Sequence, residues 1–224
     1  MTDTALIIDT ETDQGNDPRP IQVATIDVAT GHEWMQYFNS GRPISPVVTR
    51  VHGITDSDVV DCERFDLSKF SLSKYLIGHN VRFDWRVIGK PSVKLICTVR
   101  LARLAFPEWD RYGQSRCIEQ LIGVDDAKAM TAKAHDALGD ARMCHMLYLA
   151  CCERLEVEHT DFKTIHERVN SAIPTKRMPF GKHKGKKIDD VPLSYIKWML
   201  ANIPDLTPSL YSALVKRVEA KGLD

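Results

Sequence analysis

The first hundred residues alternate short apolar runs with polar punctuation, the rhythm of β-strands rather than helices. Residues 5–8 form an apolar run ending at Asp9, short enough for a buried strand. Residues 21–28 and 34–38 follow, separated by a turn around Gly31. Connections this short favour antiparallel pairing of the three. A loop holding Pro43 and Pro46 leads into Val51-His52-Gly53-Ile54-Thr55, after which Asp56 and Ser57 offer caps for a short helix. Residues 75–77 and 93–97 read as further buried strands. Each precedes helical spacing, near 83–87 and 99–105, and strand–helix alternation implies parallel pairing. The expected class is α/β: a mixed five-stranded sheet, three strands antiparallel and two parallel, flanked by helices.

Helical spacing dominates afterwards. Residues 115–122 form one helix with Gly123 as its stop. The longest pattern is 136–155, where Ala137, Ala141, Cys144 and Tyr148 recur along one stripe. A connecting helix is expected over 160–169, and a linker over 170–177 with Ser171, Pro174 and Thr175. The remainder reads as a small α+β module: a Gly-punctuated basic segment, a helix from Pro192, and a last helix opened by Thr207-Pro208. Tyr195 and Trp198 read as core of that module. The predicted organisation is a domain over 1–155, a linker with a short helix over 156–177, and a small basic module over 178–224.

Composition alters this picture in three places. A hydrophobic share of 43% over 224 residues can bury a core without disulfides. No apolar run reaches membrane-spanning length, and the first residues lack the basic start of a secretion signal, so no membrane partner is expected. Six cysteines with no Cys-x-x-Cys pair argue against a zinc cluster and for reduced thiols in a cytoplasmic protein. The net charge of zero hides an asymmetry. Residues 1–155 hold 18 Lys and Arg against 21 Asp and Glu, whereas 156–224 hold 12 against 9. Lys176, Arg177, Lys182, Lys184, Lys186 and Lys187 fall together with no acidic residue among them, which hints at a nucleic-acid-binding segment.

Three clusters carry candidate chemistry. Asp9 and Glu11 sit two apart at the end of the first strand, so both carboxylates leave the same face. Their repulsion invites a hard cation, Mg²⁺ or Mn²⁺. His79-Asn80-Val81-Arg82-Phe83-Asp84 follows the fourth strand, at the sheet edge where α/β proteins place ligands. His135-Asp136-Ala137-Leu138-Gly139-Asp140 opens the long helix. Five residues turn a helix by about 140°, so His135 belongs before the helix and Asp140 on its first turns. Asp136 between them is the expected N-cap.

Taken together, Asp9-x-Glu11, His79–Asp84, His135–Asp140 and the apolar-His-Gly-Ile-Thr stretch at 51–55 resemble the DEDDh exonucleases. The Pro43–Pro46 stretch, Cys97-Thr98 with Leu101-Ala102-Arg103, and Phe180-Gly181-Lys182-His183-Lys184-Gly185-Lys186 are similar to a small bacterial branch of that family acting on DNA ends. The resemblance implies an RNase H-like fold and release of nucleoside monophosphates from DNA 3′ ends with two Mg²⁺ ions, for which Mn²⁺ can substitute. It implies that Asp9, Glu11, Asp84 and Asp140 hold the metals and His135 is the general base. Thr10, Thr12 and His52 would line the pocket for the terminal nucleotide. Asn80 and Phe83 are further contacts, although an aromatic at position 83 more often serves a core. Lys182, Lys184, Lys186 and Lys187 would track phosphates. The rival within the family trims RNA 3′ ends. Two rivals lie outside it: a haloacid-dehalogenase-like phosphatase, suggested by residues 6–12, and a binding module without catalysis.

Overall fold

The computed structural model describes residues 3–131, 136–170, 176–203, 206 and 208–220. Internal contacts divide the chain into two compact units, Met1–His166 and Glu167–Asp224.

The first unit is built on one sheet of order β3-β2-β1-β4-β5. β1 (Ala5–Thr12) pairs antiparallel with β2 (Pro20–Asp27), which pairs antiparallel with β3 (Glu33–Tyr37). On its other side β1 runs parallel to β4 (Tyr75–Gly78), and β4 parallel to β5 (Lys94–Cys97). This is the mixed sheet that the hydrophobic pattern predicts. β1 continues four residues beyond its apolar run. Its backbone ladder is completed there by β2, with Asp9 opposite Ala24 and Glu11 opposite Gln22, so polar side chains can extend the strand.

Layers cover both faces. α7 (Ala137–Arg154) lies on β1 and β2 through Ala137, Ala141, Cys144, Leu147, Tyr148 and Cys151, all buried. Small residues in that stripe let the helix axis approach the strands closely. The opposite face buries Ile8, Val23, Leu76 and Ile88 beneath an aromatic group. There Trp34 meets Phe70 edge-on with centroids 5.5 Å apart, and Phe38 meets Phe65 at 5.2 Å.

The other helices are α1 (Pro46–His52), α2 (Asp56–Val59), α3 (Arg82–Val87), α4 (Thr98–Ala105), α5 (Gln114–Ile122), α6 (Val124–Thr131) and α8 (Phe162–Asn170). α1 replaces the expected loop. Ser45 accepts from Val47 N, Pro46 opens the first turn and Gly53 ends it at φ +76°, signals too close together to read as a helix by periodicity. α2 is capped by Thr55, whose amide and hydroxyl reach the Asp58 carboxylate at 2.7 and 2.6 Å, rather than by Asp56 or Ser57. Gly123 does stop α5, but α6 restarts at the next residue. No helix among the described residues is long and apolar enough to cross a membrane.

The second unit packs α9 (Leu193–Asn202) and α10 (Pro208–Glu219) around Met178, Ile188, Val191, Ile196, Met199, Leu210 and Leu214. Its β component is an antiparallel bridge between Arg177 and Lys187. Tyr195 packs partly buried against the cluster. Trp198 does not belong to it: the indole is 52% exposed and lies against the Tyr195 ring at the edge of the cluster.

Leu147 tests the α7–sheet layer. Leu147→Ala should lower unfolding free energy by about 2–5 kcal/mol in urea titrations, the cost of deleting a fully buried leucine side chain. A loss below about 1 kcal/mol would mean that α7 does not close this face of the core.

Candidate active site

Strand alternation decides which groups meet. Asp9 and Glu11 leave β1 on the α7 side, while Thr10 and Thr12 point the other way and are buried. Asp140 sits in the first turn of α7. One carboxylate oxygen each from Asp9, Glu11 and Asp140 lie within 4.8 Å of one another. Asp84 arrives from the first turn of α3 and is buried. The Thr10 hydroxyl donates to Asp84 Oδ1 at 2.8 Å, so the residue between Asp9 and Glu11 orients the carboxylate contributed by α3.

The start of α7 is fixed to the strand beside the site. Asp136 accepts from Gly139 N as the expected N-cap. Gln22, opposite Glu11 in the ladder, donates to Asp136 Oδ1 at 2.9 Å and accepts from Ala137 N at 3.0 Å. Gln114 adds a bond from its amide to Asp140 O at 2.7 Å. Gln22 and Gln114 carried no sequence signal, because their partners lie 115 and 26 residues away.

The electrostatics follow from this crowding. Burial, then the charges of Asp84, Asp140 and Glu11, push Asp9 well above the usual carboxylate range. Burial and the neighbouring Asp140 and Asp84 raise Glu11 to about 8. Burial raises Asp84 to about 7 even against the bond from Thr10. Among the described residues, no salt bridge reaches Asp9, Glu11 or Asp84. Such a set must hold protons or take up a cation. Clustered carboxylate oxygens are the donors that hard divalent cations accept, so the residues present fit a metal centre.

The surrounding groups brace the site. Asp13 is buried; burial alone would raise its pKa, but the Arg42 guanidinium, 2.5 Å from Oδ2, and Arg19 N bring it below the usual value. That pair pins the loop leaving β1. His52 accepts from Ile54 N on Nδ1 and, in the tautomer this implies, donates from Nε2 to Thr12 O at 3.2 Å. His79 is held by the Thr98 hydroxyl at 3.0 Å and Tyr112 O at 2.9 Å, and burial lowers its pKa to about 4. It is a neutral latch between β4 and α4. Asn80 is exposed and takes φ +72° in the turn before α3. Phe83 is partly buried next to Asp84 rather than fully buried core. His135 lies outside the described residues. Lys182, Lys184, Lys186 and Lys187 are exposed in the second unit.

A family model described as Exonuclease matches residues 6–148, which contain the whole carboxylate cluster. The chain belongs to this exonuclease family, in its DEDDh 3′→5′ branch, with an RNase H-like fold. Exodeoxyribonuclease 10 of Escherichia coli K12 is 25% identical over 95% of this chain and 98% of its own length. The DNA polymerase III epsilon subunit of Pasteurella multocida is 29% identical over 54% of this chain and 52% of its own. A solved structure of exonuclease X in complex with 5′ overhanging duplex DNA superposes with a TM-score of 0.57 at 25% identity, covering 72% of this chain and 99% of that one. A shorter model, named for quorum-sensing-regulated virulence factors, matches residues 167–204. The chain is thus a nuclease that hydrolyses phosphodiester bonds, of a divalent-metal-dependent family. Family membership removes the phosphatase reading of residues 6–12.

The raised carboxylates make stability depend on pH in a definite direction. Glu11 and Asp84 bind protons more tightly folded than unfolded. Their stabilisation is full below pH ~4 and is lost as pH climbs through about 7 and 8. The metal-free protein should therefore melt at lower temperature at pH 8 than at pH 5, and Mg²⁺ should restore more of the melting temperature at pH 8. Calorimetry in chelator and in Mg²⁺ measures both. A metal-free melting temperature that rises over this window would mean that the carboxylates do not repel as described.

Proposed function

We propose that the chain is a 3′→5′ exodeoxyribonuclease that releases nucleoside monophosphates from DNA 3′ ends. One observation carries the reading: three carboxylates within 4.8 Å, with Asp84 beside them, in a chain of the exonuclease family. DNA is favoured over RNA because the relative matched along 98% of its length is an exodeoxyribonuclease, and that match runs over 95% of this chain.

Asp9, Glu11, Asp84 and Asp140 would hold a pair of Mg²⁺ ions, with Mn²⁺ able to replace them. Such ions supply positive charge to the phosphorane-like transition state and make a water acidic enough to attack. The protein's own part is to fix the donors. β1 presents Asp9 and Glu11, Thr10 aims Asp84, and Gln22 with Asp136 sets the α7 turn that carries Asp140. His135, one residue before the N-cap Asp136, is assigned as general base. Neutral imidazole, with an ordinary pKa of ~6.5, can accept the proton of the attacking water near neutral pH. Thr10 and Thr12, whose hydroxyls are taken up by Asp84 and the Gln14 carbonyl, would face the terminal nucleotide through their backbone, alongside His52. Asn80 and Phe83 flank Asp84 and would contact sugar or base. Residues 1–155 would perform the chemistry, 156–177 connect, and 178–224 hold DNA through Lys182, Lys184, Lys186 and Lys187. The cysteines, all free, suit a cytoplasmic enzyme.

A 5′-labelled DNA strand should shorten stepwise in Mg²⁺ and remain intact in excess chelator. Asp9→Asn, Asp84→Asn and Asp140→Asn should each abolish the ladder while retaining the circular dichroism of the native chain. Near-normal turnover in any one of them would misplace the site. His135→Ala should slow single-turnover cleavage by roughly 10²–10⁴-fold, with DNA affinity in chelator nearly unchanged. An unaltered rate would remove His135 as the base.

A further inference from the structure

The basic segment of the second unit is joined to a row of aromatic rings. The bridge between Arg177 and Lys187 closes a tight turn, with Met178 N donating to Lys186 O and Gly185 N to Met178 O, each at 2.8 Å. Gly181 takes φ +77°, and a Cβ there would lie 2.5 Å from the Tyr195 hydroxyl. Only glycine lets the turn come this close to α9. Lys182 N donates to Tyr195 Oη at 3.3 Å. The His183 ring meets Tyr195 edge-on, with centroids 4.7 Å apart at 76°. Tyr195 in turn lies nearly parallel to Trp198, 5.8 Å away at 27°. Three rings therefore run from the basic turn onto α9, and the outermost is the half-exposed indole.

Within the turn and α9 the charge has one sign. α9 contains no carboxylate, and none falls between Lys176 and Lys187. Asp189, the first acid after the turn, is directed to α10, where its carboxylate lies 3.9 Å from Arg217 Nε and its carbonyl accepts from Arg217 at 2.9 Å. Lys182, Lys184, Lys186 and Lys187 are all exposed. A ligand complementary to this surface must be an extended polyanion carrying flat apolar rings. An unpaired nucleic-acid strand has both properties; duplex DNA hides its ring faces.

We propose that the second unit is a single-strand DNA site in which Trp198 stacks on an unpaired base and the lysines of the turn hold the adjoining phosphates. Stacking accepts any base, since every base has a π face, so the site reads no sequence. Tyr195 acts behind Trp198 by locking the turn to α9. The choice of DNA over RNA rests on the exonuclease reading above.

Affinity of the full chain, measured by fluorescence anisotropy in chelator, separates stacking from charge. The probes are a short labelled oligothymidylate and an abasic deoxyribose-phosphate strand of equal length. Trp198→Ala should weaken oligothymidylate binding about tenfold, the loss of one stacked base, and barely change abasic binding. Trp198→Tyr should keep most of the affinity, because a ring remains. Lys182→Ala combined with Lys184→Ala should weaken both probes alike, and should flatten the log–log salt dependence by about 0.7 for each phosphate no longer neutralised. Equal losses on the two probes in Trp198→Ala, or no loss on either, would overturn the proposal; the second result would leave the indole as a surface for some other partner. These measurements do not involve turnover. A wild-type chain that discriminates the probes but shortens no DNA in Mg²⁺ would keep this site and remove the catalytic reading.

Discussion

Mutual repulsion among the carboxylates of Asp9, Glu11, Asp84 and Asp140 is the constraint around which the first unit is arranged. Left to themselves these groups would separate or stay protonated, and burial makes both tendencies stronger. The fold opposes separation at every entry point. Asp9 and Glu11 are held in ladder with β2, opposite Ala24 and Gln22, on a strand that β4 anchors on its other side up to Ile7, so neither can retreat without breaking that ladder. Asp140 is held by a helix start fastened to β2 through Gln22 and Asp136. Asp84 is held by the hydroxyl of Thr10. The hydrophobic layers thus stabilise an arrangement that is unfavourable by itself, as is common where strain serves function.

Much of this was legible from residue order. Alternation of apolar and polar positions predicts the five strands and their mixed pairing, since short connections and helical crossovers leave little choice of topology. The same alternation predicts that Asp9 and Glu11 share a face. Asp136 as the cap of α7 also follows from local chemistry alone. What stayed hidden was the pairing of distant residues. Thr10 looked like a pocket residue, yet its hydroxyl turns away to Asp84, 74 positions later. Gln22 read as an ordinary strand residue, and Asp13 gave no hint of Arg42. The family's histidine at position 79 proves to be a latch, because a hydroxyl and a carbonyl from separate segments hold its two ring nitrogens. α1 escaped because it buries no residue and is signalled only by Ser45, Pro46 and Gly53, and α6 because it restarts directly after Gly123, which reads as a stop.

The second unit shows the opposite balance. Its charge pattern was plain in the sequence, but the partner of that charge was not. Tyr195 and Trp198 are three apart on an apolar-looking helix, and such spacing ordinarily means core. The cluster of Met178, Ile196, Met199 and Leu214 fills that core without the indole. Gly181 is the residue that links the two properties, because its missing side chain is what admits the Tyr195 hydroxyl to the basic turn.

The eight residues of β1 serve both faces at once. Ile8 and Thr10 face the aromatic layer and α3, while Ile7, Asp9 and Glu11 face α7. A side chain can be exchanged at any of these positions with local consequences. Length is another matter. One residue inserted or deleted between Ile7 and Asp9 would turn everything beyond it to the opposite face, delivering both carboxylates to the hydrocarbon side and both threonines to the cleft. Such a strand can drift in composition over long descent, but its length is fixed by parity. Relatives at a quarter identity should differ in the loops around β1 and agree, residue for residue, in its span.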